Sequence, residues 1–138
     1  MYQRDCIGLE EARLVADEVI KEAGKKPERP VAVAVVDDRS DLVYFAKQDG
    51  AWPLFIRMAI NKAHTAAAFS RHTRDWAERQ AHFKRNIVTW GDDKLTDIAG
   101  GLVFKNAKGA TIGAIGVSGC PSPDEDEELT YVGYNVLK

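Results

Sequence analysis

The chain has 138 residues, within the range of one domain that buries a core without metal or disulfide help. A hydrophobic fraction of 45% and a charged fraction of 29% are those of an ordinary globular protein. A formal charge of −2 supplies no basic stripe for nucleic acid, and no apolar run approaches membrane-spanning length. Nucleic acid and membrane are therefore excluded as expected partners. Cys6 and Cys120 lie far apart and form no C-x-x-C, and "MYQRDCIGLEE" carries acids where an export signal needs an apolar centre. A reduced, cytoplasmic setting is the expectation.

Leu9, Ala12, Ala16, Val19, Ile20 and Ala23 share one helical face, and Gly24 ends that helix. After the breaker "KKPERP", the β-branched run "VAVAVVD" (31–37) reads as a buried strand. "LVYFAKQ" (42–48) returns from the turn "DRSD" as its hairpin partner. Asp49 and Gly50 then form a turn, and Pro53 suits the first turn of a helix running to about Ser70. Its expected inward stripe is Ile56, Ala59, Ile60, Ala63 and Ala67. "TRDWAERQAHF" (73–83) predicts a short amphipathic helix, and "WGDDKLTDIAGG" a loop.

"LVFKN", the turn "AKG" and "ATIGAIGVSG" make a second hairpin. Gly113 and Gly116 weaken that strand, so they mark close approach by a backbone, a helix or a ligand. "SPDEDEEL" supplies Ser122 as N-cap, Pro123 at the first helical position and Glu125 three residues after the cap. The five carboxylates of residues 124–128 at this helix start suit the helix dipole and spoil the site for phosphate. The order helix, hairpin, helices, hairpin, helix predicts an α+β fold in a single domain, residues 1–138.

The histidines at 64, 72 and 82 lack the i, i+4 spacing of a helical zinc site, although haem needs only one axial donor. His64 sits at the edge of the inward stripe, as a metal ligand, a general base or a packed side chain. Cys120 lies two residues before a helix cap that can activate a thiol, among carboxylates that oppose activation. Arg71 closes the alanine-rich helix, either as a cation on the helix dipole or as a clamp for a carboxylate. No Ser/His/Asp signature, P-loop or dinucleotide fingerprint is present.

Taken together, "VAVVD", "FAKQDGA", "NKAHTAAAFSR", "AGG" and "GAIGVSG" resemble the family that includes GlcG, the haem-binding HbpS and the C-terminal domain of PduO-type proteins. The resemblance implies a profilin-like α/β sandwich with a five-stranded antiparallel sheet flanked by helices, assembled as a homo-oligomer. It also implies haem or a corrinoid-related tetrapyrrole as ligand, and it does not imply cobalamin adenosylation. The family pattern carries over to Asp49, Gly50, Lys62, Thr65, Arg71, Gly100, Gly101 and the Gly113–Gly119 stretch, while His64 falls where the family varies. Departures are "DDRSD" in the first hairpin turn and "SGC" in place of "SGG".

Three functions follow as expectations. The first is a small-molecule-binding protein, with a pocket left by small side chains between the alanine-rich helix and the "AGG" loop. There His64 or Cys120 would approach the metal and Arg71 the propionates. The second is a small catabolic enzyme moving a proton with His64, its substrate anion held by Lys62 or Arg71. The third is an oligomeric scaffold without chemistry.

Overall fold

The computed structural model describes residues 1–138. Helix α1 (Leu9–Ala23) leads into strand β1 (Ala32–Asp37) and strand β2 (Leu42–Lys47). Helices α2 (Pro53–Phe69) and α3 (Thr73–His82) follow, then a 3-10 turn at Ile87–Trp90. Strands β3 (Gly101–Lys105) and β4 (Thr111–Ser118) precede helix α4 (Pro123–Tyr134) and a closing 3-10 turn. The four strands form one antiparallel sheet in the order β2-β1-β4-β3. The α+β class follows from the element order, with four strands where five were expected. Residues 87–100 form a 3-10 turn and a loop rich in Asp and Gly, and Ile7 gives a single backbone bond to Ile112. Neither segment offers the alternating run that a further strand requires.

Strand alternation divides the core by size. Val33, Val35, Leu102, Phe104, Ile115 and Val117 face α1 and α4. Ala32, Ala34, Val36, Val103 and Ala114 face α2, whose own contribution is Ala59, Ala63, Ala66 and Ala67. Large branched groups interdigitate on the first face, while on the second the backbones themselves come close. A Cβ at Gly116 would run into the Ala59 carbonyl oxygen and lie 2.6 Å from the Ala63 nitrogen. A Cβ at Gly101 would meet the Lys62 carbonyl. These glycines serve helix–sheet contact.

The buried face of α2 is turned from the expected stripe. Ile56 and Ile60 are half-buried, and Lys62, Thr65 and Ala66 are buried with the alanines. On α1 the buried set is Ala12, Val15, Ala16, Val19 and Ala23, and Leu9 is exposed. At α4, Ser122 Oγ accepts the Glu125 backbone N–H at 3.2 Å, and Pro123 opens the helix. That cap fixes where α4 starts, and therefore where Asp126 enters the core.

Candidate functional site

Small side chains do not leave a pocket under α2. The helix and sheet meet flush, since Ala59, Ala63 and Ala66 are fully buried and Gly101 and Gly116 touch the helix backbone. A cleft of about 190 Å³ opens instead beside the first half of α2. Its walls are Leu54, Phe55 and Met58 on one side, Ile98 of the "AGG" loop on another, and Ser118 to Pro123 on the third. Lys62, Asp126 and Cys120 lie on its lining. Bulky side chains hold these elements apart where the alanines stop.

Lys62 and Asp126 form the floor. Lys62 Nζ donates to Asp126 Oδ2 at 2.8 Å and to the Val117 carbonyl at 2.9 Å, and its side chain is 1% exposed. Asp126 Oδ1 accepts the Cys120 backbone N–H at 2.9 Å. Burial draws the lysine below its ordinary value, with Asp126 opposing that shift. A buried ion pair of this kind stands because each charge meets its counter-charge and one further hydrogen-bond partner. It joins α2, β4 and α4 at one point.

The neighbouring polar groups are mostly consumed by the chain itself. Thr65 Oγ1 donates to the Asn61 carbonyl and accepts the Thr96 N–H at 3.0 Å, tying the 91–100 loop to α2. Gly100 carries φ +124°, a backbone shape that favours glycine, and a Cβ there would lie 2.9 Å from Lys62 Nζ. Its carbonyl accepts Thr130 Oγ1 at 3.0 Å, and the Gly101 N–H donates to Thr73 Oγ1 at 3.0 Å. Cys120 is half-buried. Burial, then the Asp126 and Glu125 charges, push its thiol up to about 12, so at neutral pH it carries its proton.

Other residues singled out from sequence lie elsewhere. Asp49 and Gly50 are exposed in the turn after β2, with Gly50 at φ +87°. Arg71 is exposed past the end of α2; thirteen residues separate it from Met58, about 20 Å along a helix. His64 lines neither this cleft nor the larger one on the opposite face of the sheet. Its Nε2 lies 2.6 Å from Asp92 Oδ2, while Asp92 Oδ1 accepts the Lys94 N–H at 3.0 Å. Burial acts to raise the Asp92 carboxyl, but the His64 and Lys94 hydrogen bonds outweigh it and leave a net lowering.

Sequence reasoning thus missed Asp92, Asp126 and Met58. Asp126 was counted among the dipole-facing acids, and only helical phase against Ser122 would have turned it inward. Met58 carried no signal, because a methionine at helical spacing reads as core. Trp52, 67% exposed, stacks on Phe55 with ring centroids 5.6 Å apart and planes within 2°. Of this aromatic pair, Phe55 lines the cleft beside Leu54, and Trp52 lies outside the lining against Phe55. The side chains there that can bind a soft metal are Met58 and Cys120, and no cluster of three or more His, Cys, Asp or Glu residues is arranged to hold a metal ion. No helix is long and apolar enough to cross a membrane.

Comparison with known proteins places these features in context. HbpS from Streptomyces reticuli, crystallised as a double mutant, is 33% identical and superposes with a TM-score of 0.88 over all of this chain and 91% of that one. Protein GlcG of Escherichia coli K12 is 32% identical over 98 residues, 71% of each chain. The crystal structure of a PduOC:heme complex shares the fold, with a TM-score of 0.82 over 94% of each chain at 19% identity. The family model described as "Haem degrading protein HbpS-like" matches residues 7–134, and the chain belongs to that HbpS-like family.

Proposed function

We propose that the chain is a small-ligand-binding protein that takes a planar, largely apolar ligand of the haem or tetrapyrrole class at the cleft beside the first half of α2. The carrying observation is the apolar wall of Leu54, Phe55 and Ile98 around two sulfur side chains, extended outward by the exposed Trp52 that stacks on Phe55. Aromatic and apolar walls with a few polar groups are the usual make-up of a ligand site. The PduOC relative in complex with heme and the family description support the same ligand class.

The residues present fit such a ligand in part. At about 190 Å³ the cleft is smaller than a site enclosing a whole drug-sized molecule, so the ligand rests against the exposed ledge as well. Haem held there would supply an iron able to accept a donor atom from the protein. Met58 offers a neutral thioether to it, whereas Cys120 must first lose a proton held up to about 12. Lys62 is neutralised by Asp126 and also donates to the Val117 carbonyl, so it shapes the floor and leaves no free charge for a propionate. The same apolar ledge suits contact between copies of the chain, in keeping with a homo-oligomer.

Titrating purified protein with haem tests this reading. A saturable Soret shift is expected, weakened at least tenfold in Trp52→Ala and displaced in wavelength in Met58→Ala or Cys120→Ala, since loss of one or two kcal/mol of contact is of that order. No saturable shift, or one unchanged in all three variants, overturns it.

The His64–Asp92 pair favours a second reading, proton transfer on a polar metabolite. A carboxylate 2.6 Å from one imidazole nitrogen fixes the orientation of the ring, as a positioned general base requires. Full turnover of a metabolite substrate by His64→Gln would end that reading.

A further inference from the structure

Between Arg79 and Gly91 the chain departs from its overall charge balance. The stretch holds Arg79, Lys84 and Arg85 and no aspartate or glutamate, so it is locally basic in a chain whose formal charge is −2. It also holds Phe83, Val88 and Trp90, which are 48%, 77% and 41% exposed. Single apolar side chains on a surface are ordinary, but large ones gathered beside cations mark an interaction surface.

The end of α3 fixes this patch in place. The Arg85 N–H donates to the Gln80 carbonyl at 2.9 Å and the Lys84 N–H to the Ala81 carbonyl at 3.1 Å, which leaves Lys84 at φ +52°. Glycine is the usual residue at that left-handed position, and here the chain keeps a lysine. Asn86 Oδ1 then accepts the Val88 N–H at 2.9 Å, and Trp90 Nε1 donates to Gln80 Oε1 at 3.0 Å, so the segment returns onto α3.

Both guanidiniums lie against these rings. Arg79 Cζ stands 5.3 Å from the Phe83 ring centre, and Arg85 Cζ stands 4.9 Å from it and 5.8 Å from that of Trp90. Stacking takes the face of a guanidinium and leaves its N–H edge free to donate. The ion pairs of the fold use Arg4, Lys25, Arg29, Lys62, His64 and Arg74, whereas Arg79, Lys84 and Arg85 form none.

We propose that this surface docks an acidic peptide segment of a partner protein, its carboxylates on Arg79, Lys84 and Arg85 and an apolar side chain between them on Phe83, Val88 and Trp90. Oriented guanidinium edges match carboxylates, and the exposed rings supply the apolar centre of such an interface. A nucleic-acid strand fits less well: Glu78 precedes the patch and Asp92 and Asp93 follow it, so a longer phosphate chain would meet carboxylates. A lone small anion is also less suited, since none of these side chains lines either cleft. The patch is separate from the cleft beside α2, so it stands or falls independently of haem binding.

The test follows the backbone amides of residues 79–91 by NMR while the full chain is titrated with capped peptides. The probe is a tryptophan flanked on each side by two glutamates; its twins carry lysines for the glutamates, or glycine for the tryptophan. Saturable shifts at these amides are expected with the acidic probe and none with the lysine twin, and the glycine twin should bind about tenfold more weakly. The double variant Arg79→Gln, Arg85→Gln should weaken the probe about tenfold, the scale of two exposed ion pairs together, and added salt should weaken the wild type. Lys84→Gly should raise the urea midpoint by relieving the left-handed backbone and yet weaken the probe about threefold. A merely structural lysine would show the first change without the second. Absence of saturable shifts, equal affinity for the lysine twin, or full affinity in the double variant would overturn the proposal. So would tighter binding of an oligothymidylate at the same amides, which assigns the patch to nucleic acid, or concentration-dependent shifts without peptide, which assign it to a second copy of the chain.

Discussion

The two faces of the sheet solve the same packing problem in opposite ways. Against α1 and α4 the strands present valine, leucine, isoleucine and phenylalanine, and the layers are spaced by side chains. Against α2 they present mostly alanine and glycine, with Val36 and Val103, and the helix backbone rests on the strand backbone at Gly101 and Gly116. Small residues therefore close space rather than open it. Both clefts lie away from these flush contacts, one beside the bulky first turns of α2 and one where α1 and α4 part.

The largest break in this comparison is expected at the one charge buried under the α2 face. Lys62→Met leaves Asp126 inside the protein with no cation, and that should cost about 3–5 kcal/mol. Urea denaturation at pH 7 measures the loss as a lower midpoint with an unchanged slope. The double variant Lys62→Met, Asp126→Leu should recover most of the stability, since an apolar pair of similar size replaces both charges. A double variant as unstable as the single one would mean that the pair is not the source of the loss.

Next comes a single carbon, added on one face and removed on the other. Gly116→Ala forces a methyl into the Ala59 and Ala63 backbone and should cost about 1–3 kcal/mol. Ile115→Val, one position away on the opposite face, leaves a small void and should cost about 0.5–1.5 kcal/mol. If the order reverses in urea midpoints, α2 can lift from the sheet at little cost and a guest could lie beneath it.

Most of the fold was legible because local signals agreed with one another. The 3.6-residue spacing from Leu9, the β-branched run from Val31, Pro53 and the Ser122 cap each named an element that the structure contains. The strand count was not legible, because it came from resemblance and this chain has only four extended runs. The site was harder to read. Lys62 was singled out by family pattern, but its partner Asp126 is 64 residues away, and in a helix-start acid cluster only the phase against the Ser122 cap marks the one that turns inward. His64 was placed by periodicity at the rim of the α2 stripe, yet Asp92 in a loop decides what its ring does.

A smaller effect separates the sheet's β3 edge from its centre. His72 Nδ1 accepts the Val103 N–H at 3.1 Å, so the neutral ring carries its proton on Nε2. Burial holds this imidazole below its ordinary value of 6.5, against the charges of Asp75 and Glu127, while Lys105 adds to the lowering. The unfolded chain then binds a proton that the folded chain refuses. Stability conferred by the neutral ring is complete above about pH 7 and is lost as pH falls below the unfolded value near 6.5, levelling off under the folded value. Unfolding midpoints from pH 7.5 to 5 should show this fall, and His72→Gln should flatten the part of it that belongs to this ring. An identical slope in the variant would assign the effect to other groups.

The smallest effect is expected at His64, the residue most exposed to functional interpretation. Asp92 is about a third open to solvent and the imidazole about a sixth, so water and salt screen the pair. Asp92→Asn should cost only about 0–1 kcal/mol, because the Asn side chain can still accept from Lys94 and meet the ring. Thr65 holds the same loop through a buried hydrogen bond to Thr96, so Thr65→Val should cost more, about 1–3 kcal/mol from the amide left without an acceptor. If Asp92→Asn proves the costlier change, the His64 pair is the main tether of the loop that walls the α2 cleft. A near-neutral result is what screening of this partly exposed pair predicts, and it leaves the buried Thr65–Thr96 hydrogen bond as the main tether of the loop.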